Sequence, residues 1–191
     1  MRLVIVADFI NEIVHEDGAF GECNAQRIKD FHTIKNANKI IAWARKNDVK
    51  VAHVKMGFGK DYYECPKNSP ILGQTPKHQV FQLGSWATDF HKDVDVQDHD
   101  IVITKHRISF VYATNCEAIL RANKIENIIV FGVSTELVIE SSVRELHDRD
   151  YKVTVISDAC NAGSEEGHNK SLKSLAHISK VVTAEEFLSN N

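Results

Sequence analysis

Six short segments of this chain are mainly apolar and rich in branched residues: Leu3 to Val6, Val49 to Val54, Ile101 to Thr104, Ile128 to Gly132, Lys152 to Ile156 and Val181 to Thr183. A strand with one wet face alternates apolar and polar side chains. Strands that do not alternate are covered on both faces. Between these segments lie longer stretches predicted to be helical: Ala25 to Asn47, Asn115 to Lys124, Thr135 to Arg149 and Glu165 to Ile178. Strand and helix in alternation imply right-handed crossovers and a parallel sheet between helical layers. The expected class is therefore α/β, with a six-stranded parallel sheet in three layers and helices on both faces. Two helix starts carry capping-box patterns, Thr114-Asn115-Cys116-Glu117 and Thr183-Ala184-Glu185-Glu186. The stretch from Met56 to Gly84 holds all three prolines and reads as a long excursion between the second and third strands, of the kind that forms lids or oligomer contacts.

The 191 residues suit one domain spanning 1–191. With 43% hydrophobic and 26% charged residues, the composition is that of a folded globular chain. The 23 Lys and Arg nearly balance the 26 Asp and Glu, so neither nucleic acid nor an anionic membrane is an expected partner. No apolar run approaches the ~20 residues that span a bilayer. The amino terminus reaches Asp8 too soon for a secretory signal. Cys23, Cys65, Cys116 and Cys160 are widely spaced, without a Cys-x-x-Cys pair. Reduced thiols in a cytoplasmic protein are the expectation.

In an open parallel sheet, ligands sit beyond the carboxyl ends of the strands, where strand order reverses. The first strand ends in Asp8, the third runs into Lys105, and the fourth ends at Gly132 and turns through Val133-Ser134-Thr135 into a helix. A carboxylate, an ammonium and a helix amino terminus are thus expected to share one crevice.

Gly132-Val133-Ser134-Thr135-Glu136-Leu137-Val138-Ile139-Glu140-Ser141-Ser142 resembles the signature of the isochorismatase-like (cysteine hydrolase) family, a Gly-Val-Ala/Ser-Thr-Asp-x-Cys-Val stretch opening a helix. The similarity extends along the chain. Val6-Ala7-Asp8-Phe9-Ile10-Asn11-Glu12 is similar to the family's first strand with its acid, and Trp86 to His91 to the segment before the third. Lys105-His106-Arg107-Ile108-Ser109-Phe110 looks like its lysine and Ser-x-Phe, and Ser157 to Cys160 with His168 to its later motifs. The resemblance implies the Rossmann-like fold of that family, a homodimer or homotetramer, a small-molecule substrate and no cofactor. It also implies a catalytic triad of Asp, Lys and Cys, an oxyanion site of backbone amides at the helix start (Val133, Ser134 and Thr135), and a cis peptide between Val133 and Ser134.

At the position of the family cysteine stands Val138, which has neither a nucleophilic atom nor a titratable proton, so no acyl-enzyme forms there. Asp8 and Lys105 remain. Pyruvate-releasing members of the family also lack the cysteine. They hydrolyse a vinyl ether with a carboxylic acid that protonates carbon and a cation that steers substrate carboxylates. The expectation is therefore a cysteine-independent hydrolase with Asp8 as general acid and Lys105 as electrostatic partner. Two alternatives are a catalytically silent relative that binds a ligand or serves in assembly, and an amidase or nicotinamidase-like enzyme with another nucleophile. Ser141 and Ser142, one turn past Val138, lack a recognisable base. His53-Val54-Lys55 falls near the place where nicotinamidase relatives carry an Asp-x-His metal motif, but the motif is absent, so no metal is expected. Trp86 and Phe110 are the aromatic candidates for a substrate wall, with plain core as the competing reading.

Overall fold

The structure is a computed structural model that describes residues 1–191, the side chain of Cys23 excepted. Six parallel strands form one sheet: β1 (Arg2–Ala7), β2 (Lys50–Met56), β3 (Ile101–Lys105), β4 (Asn127–Gly132), β5 (Lys152–Ile156) and β6 (Lys180–Val182), in the order β3-β2-β1-β4-β5-β6. Each lies within two residues of its expected bounds. The sheet grows outward from β1 to β3, then returns to β4 on the other side of β1. The strand order therefore reverses between β1 and β4. Register sets Ala7 opposite both Val54 and Gly132. The two central strands are buried along nearly their whole length, so helices cover both faces. Each fully buried Leu, Ile or Phe contributes about 1.5–3 kcal/mol, and β1 and β4 together supply Leu3, Ile5, Ile128 and Phe131.

The predicted helix from Ala25 to Asn47 is two helices, α2 (Gly21–Asp30) and α3 (Thr33–Lys46), which follow the short α1 (Asn11–Val14). The break falls at His32, whose φ of 54° leaves the helical region. No glycine or proline marks it, and the apolar pattern runs across it. After α3 and β2, the excursion predicted from Met56 to Gly84 folds on itself around α4 (Thr75–His78). Phe58, Tyr62, Cys65, Leu72 and Phe81 pack with Ile10 and Met56 into a small second core. In α5 (Cys116–Ala122) the expected capping box does not form. Thr114 Oγ1 accepts from the Cys116 amide at 3.1 Å, while the Glu117 carboxylate is drawn away to Arg121 and Arg149. The predicted helix from Thr135 to Arg149 opens with a π turn over Thr135–Ile139 and continues as α6 (Glu140–His147). α7 (Glu165–Leu175) lies before β6. The closing α8 (Ala184–Ser189) starts on Thr183 with both hydrogen bonds of the predicted capping box. No helix among the described residues is long and apolar enough to cross a membrane.

Candidate active site

The chain leaves β1 at Asp8, whose amide donates to the Val54 carbonyl at 3.0 Å and whose φ is 57°. That turn lifts the carboxylate off the strand end, where it is 1% exposed. Lys105 is the last residue of β3 and lies opposite Met56 at the end of β2. Its side chain is 0% exposed and reaches across β2. There Nζ lies 2.7 Å from Asp8 Oδ2 and donates to the Ile108 carbonyl at 2.8 Å. The acid and amine read from the first and third strands therefore meet. The contact is an ion pair, and the Met56 backbone also favours the carboxylate form of Asp8. Burial raises the Asp8 carboxyl above its ordinary value, and the Lys105 charge opposes that rise without cancelling it.

The third part of the site is the turn after β4. Gly132 has a φ of 139°, and a Cβ there would lie 2.1 Å from the Ala7 carbonyl oxygen. Only glycine lets the two strand ends approach this closely. The peptide between Val133 and Ser134 is cis, as the resemblance implied. In the π turn the amides of Val138 and Ile139 both donate to the Ser134 carbonyl, at 3.0 and 3.1 Å. This widened turn holds the Val138 side chain against the crevice.

Asp8, Lys105, Val133, Ser134 and Val138 line one crevice of about 220 Å³. Met56, Ile71, Leu72 and Phe81 of the excursion and second core form one wall. Ile13 of α1, Phe20 just before α2 and Asn24 of α2 form another, and Glu136, Leu137 and Gly163 complete it. The excursion is thus wall material. No hydrogen bond engages the Ser134 amide among the described residues, and the first amides of the turn have no intrahelical partner by geometry. These donors suit a developing negative charge.

Three of the expected site residues lie elsewhere. The Thr135 amide already donates to the Asn161 carbonyl at 2.9 Å, and its hydroxyl pairs with His168 Nδ1, so it offers no oxyanion contact. Phe110 is fully buried in the main core, beside Val111 and Cys116. Trp86 is half-exposed on a separate 3₁₀ turn, edge-on to His15. Aromatic identity gave no direction for either ring. Ser142 is buried, with Oγ accepting from the Phe110 amide, and neither it nor Ser141 lines the crevice. Conversely, Phe20, Asn24 and Glu136 do line it. Glu136 lies in the signature stretch itself, whereas Phe20 and Asn24 come from the start of α2, more than a hundred residues before that stretch, and no local motif announced those two.

His53 is buried, with Nε2 3.2 Å from Asp100 Oδ2. Burial pushes its pKa down, against the pull of Asp100. Among the described residues no three His, Cys, Asp or Glu side chains converge as a metal set. Cys65, Cys116 and Cys160 are buried free thiols, and burial drives Cys116 and Cys160 up to about 12. The expectation of a reduced thiol at Cys23 concerns a side chain outside those described.

The profile of the isochorismatase domain matches residues 2–186 of this chain. The uncharacterized isochorismatase family protein YecD of Escherichia coli O157:H7 is 30% identical over 156 residues, covering 81% of each chain. The ureidoacrylate amidohydrolase RutB of Rhizobium rhizogenes is 29% identical over 168 residues, covering 82% of this chain and 68% of that protein. Among solved structures, a cysteine hydrolase from Pseudomonas syringae pv. phaseolicola superposes with a TM-score of 0.90 at 22% identity, over 98% of this chain and 91% of that one.

Proposed function

The chain belongs to the isochorismatase family of hydrolases, and from that premise we propose that it hydrolyses a small molecule without a cysteine nucleophile. In this reading Asp8 is the proton-transfer group and Lys105 its electrostatic partner. The observation that carries the reading is the Asp8–Lys105 contact at 2.7 Å, buried in a crevice whose wall at the signature position is the hydrocarbon of Val138. A carboxyl whose proton affinity is raised by burial holds a proton closer to neutral pH than a free one, as a general acid must. With a vinyl ether, Asp8 gives its proton to the terminal carbon and water adds to the oxocarbenium carbon. The hemiketal then collapses to a ketone and an alcohol, and the water proton returns to Asp8. Lys105 stabilises the carboxylate form of Asp8 between the two transfers. Ser134, with its free amide, and Val133 complete the substrate wall on this side, whereas Thr135, Trp86 and Phe110 are left out of it.

A second reading keeps the same acid and amine for amide hydrolysis, with water attacking directly. It is favoured by the ureidoacrylate amidohydrolases among the relatives. The Asp8 carboxylate then takes a proton from water and passes it to the leaving nitrogen. We also read 1–191 as one domain acting as a homodimer or homotetramer, and place it in the cytoplasm, a compartment with which the buried free thiols agree.

The test is a panel of vinyl ethers, isochorismate included, and of carboxamides and ureido compounds, assayed with the purified protein and with Asp8→Asn. Turnover of at least one class, lost in Asp8→Asn, is expected. No turnover of any, or equal rates in both proteins, would overturn the proposal and favour a silent relative that only binds.

A further inference from the structure

The crevice has two halves of different chemistry. At its floor lie Asp8 and Lys105, 1% and 0% exposed. At its mouth lie Phe20 and Leu137, 40% and 38% exposed, with Asn24 and Glu136 between them and the floor in burial. The polar side-chain atoms of the mouth left without a partner are acceptors. Glu136 Oε1 accepts from the Gly163 amide at 3.4 Å, which holds the carboxylate in place, while Oε2 is buried without a partner. Asn24 Nδ2 donates to the Phe20 carbonyl at 3.0 Å. That bond fixes which way the amide faces and leaves Oδ1 buried without a partner. A buried acceptor with no donor costs about 1–3 kcal/mol. The Asp8 oxygens at the floor are answered by the Lys105 charge, whereas the two acceptors of the mouth have neither donor nor cation, so the mouth is where a donor from outside is missing. Lys105, the sole cationic side chain lining the crevice among the described residues, already touches Asp8.

We infer that the mouth of the crevice is a subsite for a cationic, N–H-rich group, an organic ammonium or amidinium, held by the Glu136 carboxylate and the Asn24 carbonyl against the Phe20 ring. The carboxylate supplies the charge complement and a charge-assisted hydrogen bond. The amide oxygen takes a second N–H, and an aromatic ring nearby favours a cation over an anion. An anion entering here meets Glu136 with no free positive charge to answer it, so a substrate bearing two carboxylates is poorly received. The inference rests on the reading above that this crevice is the substrate site, and it names the kind of molecule the site selects.

Three probes of nearly equal shape separate the possibilities: benzamidine, benzamide and benzoate, measured by calorimetry or ligand-observed NMR on the whole chain. Benzamidine is expected to bind at least about tenfold more tightly than benzamide, with benzoate weakest. Glu136→Gln is expected to weaken benzamidine by about tenfold while leaving benzamide within about twofold. Asn24→Leu is expected to weaken both amidine and amide. Benzoate binding as tightly as benzamidine, or a benzamidine-to-benzamide ratio unchanged in folded Glu136→Gln, would overturn the inference. So would the absence of saturable binding by all three. The two readings fail separately. A protein that turns over only carboxylate-bearing substrates, with Asp8→Asn inactive, keeps the acid and sinks the subsite. A protein that turns over nothing yet prefers benzamidine keeps the subsite and sinks the acid.

Discussion

Replacing Lys105 by methionine keeps the length of the side chain and deletes its charge. At 2.7 Å the pair attracts by about 6 kcal/mol at an effective dielectric constant of ~20. Breaking a buried pair by removing one partner costs about 3–5 kcal/mol net, because the surviving charge is stranded. The lost hydrogen bond to the Ile108 carbonyl adds about 1 kcal/mol. Asp8 has an escape that bounds the loss. Its pKa is already raised by burial above the ordinary 3.8, and without the ammonium it rises further. A carboxyl that holds its proton more tightly in the folded than in the unfolded chain favours folding at low pH. That advantage is lost as pH climbs from the unfolded value to the raised one. Lys105→Met is therefore expected to lose about 4 kcal/mol at pH 8. Each unit of pH inside the window restores up to about 1.4 kcal/mol. Urea unfolding from pH 8 down to pH 4, with Asp8→Asn/Lys105→Met alongside, measures both trends. The double variant should be more stable than the single at pH 8 and nearly flat with pH. A loss that does not change with pH, or a double variant no better than the single, would refute the reasoning.

Gly132→Ala forces a Cβ to within 2.1 Å of the Ala7 carbonyl oxygen, so it should cost more than about 3 kcal/mol or prevent folding, read by urea unfolding or soluble yield. Thr183→Ala removes the cap of α8 and should cost about 1 kcal/mol, a fall in Tm of about 2–4 °C. Cys116 and Cys160, with thiols pushed up to about 12, should resist iodoacetamide at pH 8 in the native protein and react after unfolding, as peptide mass spectrometry would show. Val138→Cys places a thiol in the crevice beside the Lys105 ammonium. Its reaction with iodoacetamide should be fast at neutral pH, and a sluggish thiol would mean that the wall does not face the ammonium.

The strands were legible because uniform burial leaves a uniform apolar run, and β1 and β4 are buried on both faces. The meeting of Asp8 and Lys105 was legible because parallel strands put all their carboxyl ends on one edge. The break at His32 was not. A histidine takes a left-handed φ at modest cost without announcing it, and the apolar stripe continues through both helices. The failed capping box at Thr114 shows a contest that a local pattern does not include: Glu117 finds two arginines, one of them 32 residues away. Trp86 and Phe110 carried the right chemistry for a substrate wall but point elsewhere. Phe20 and Asn24 reach the crevice from the start of α2 only because α1 and α2 fold back over the switch point. Periodicity places residues on faces of elements. It does not say which face of one element meets the end of another.

In the proposed reading, chemistry at this crevice runs on a carboxyl and an amine without sulfur. The direct measurement is kcat/KM for the best substrate of the panel in a variant with Cys23, Cys65, Cys116 and Cys160 all replaced by alanine, its folding checked by circular dichroism. A rate within about threefold of the parent is expected, since no thiol takes part in a bond-forming step. A folded, cysteine-free protein that has lost turnover while Asp8→Asn retains it would contradict the account.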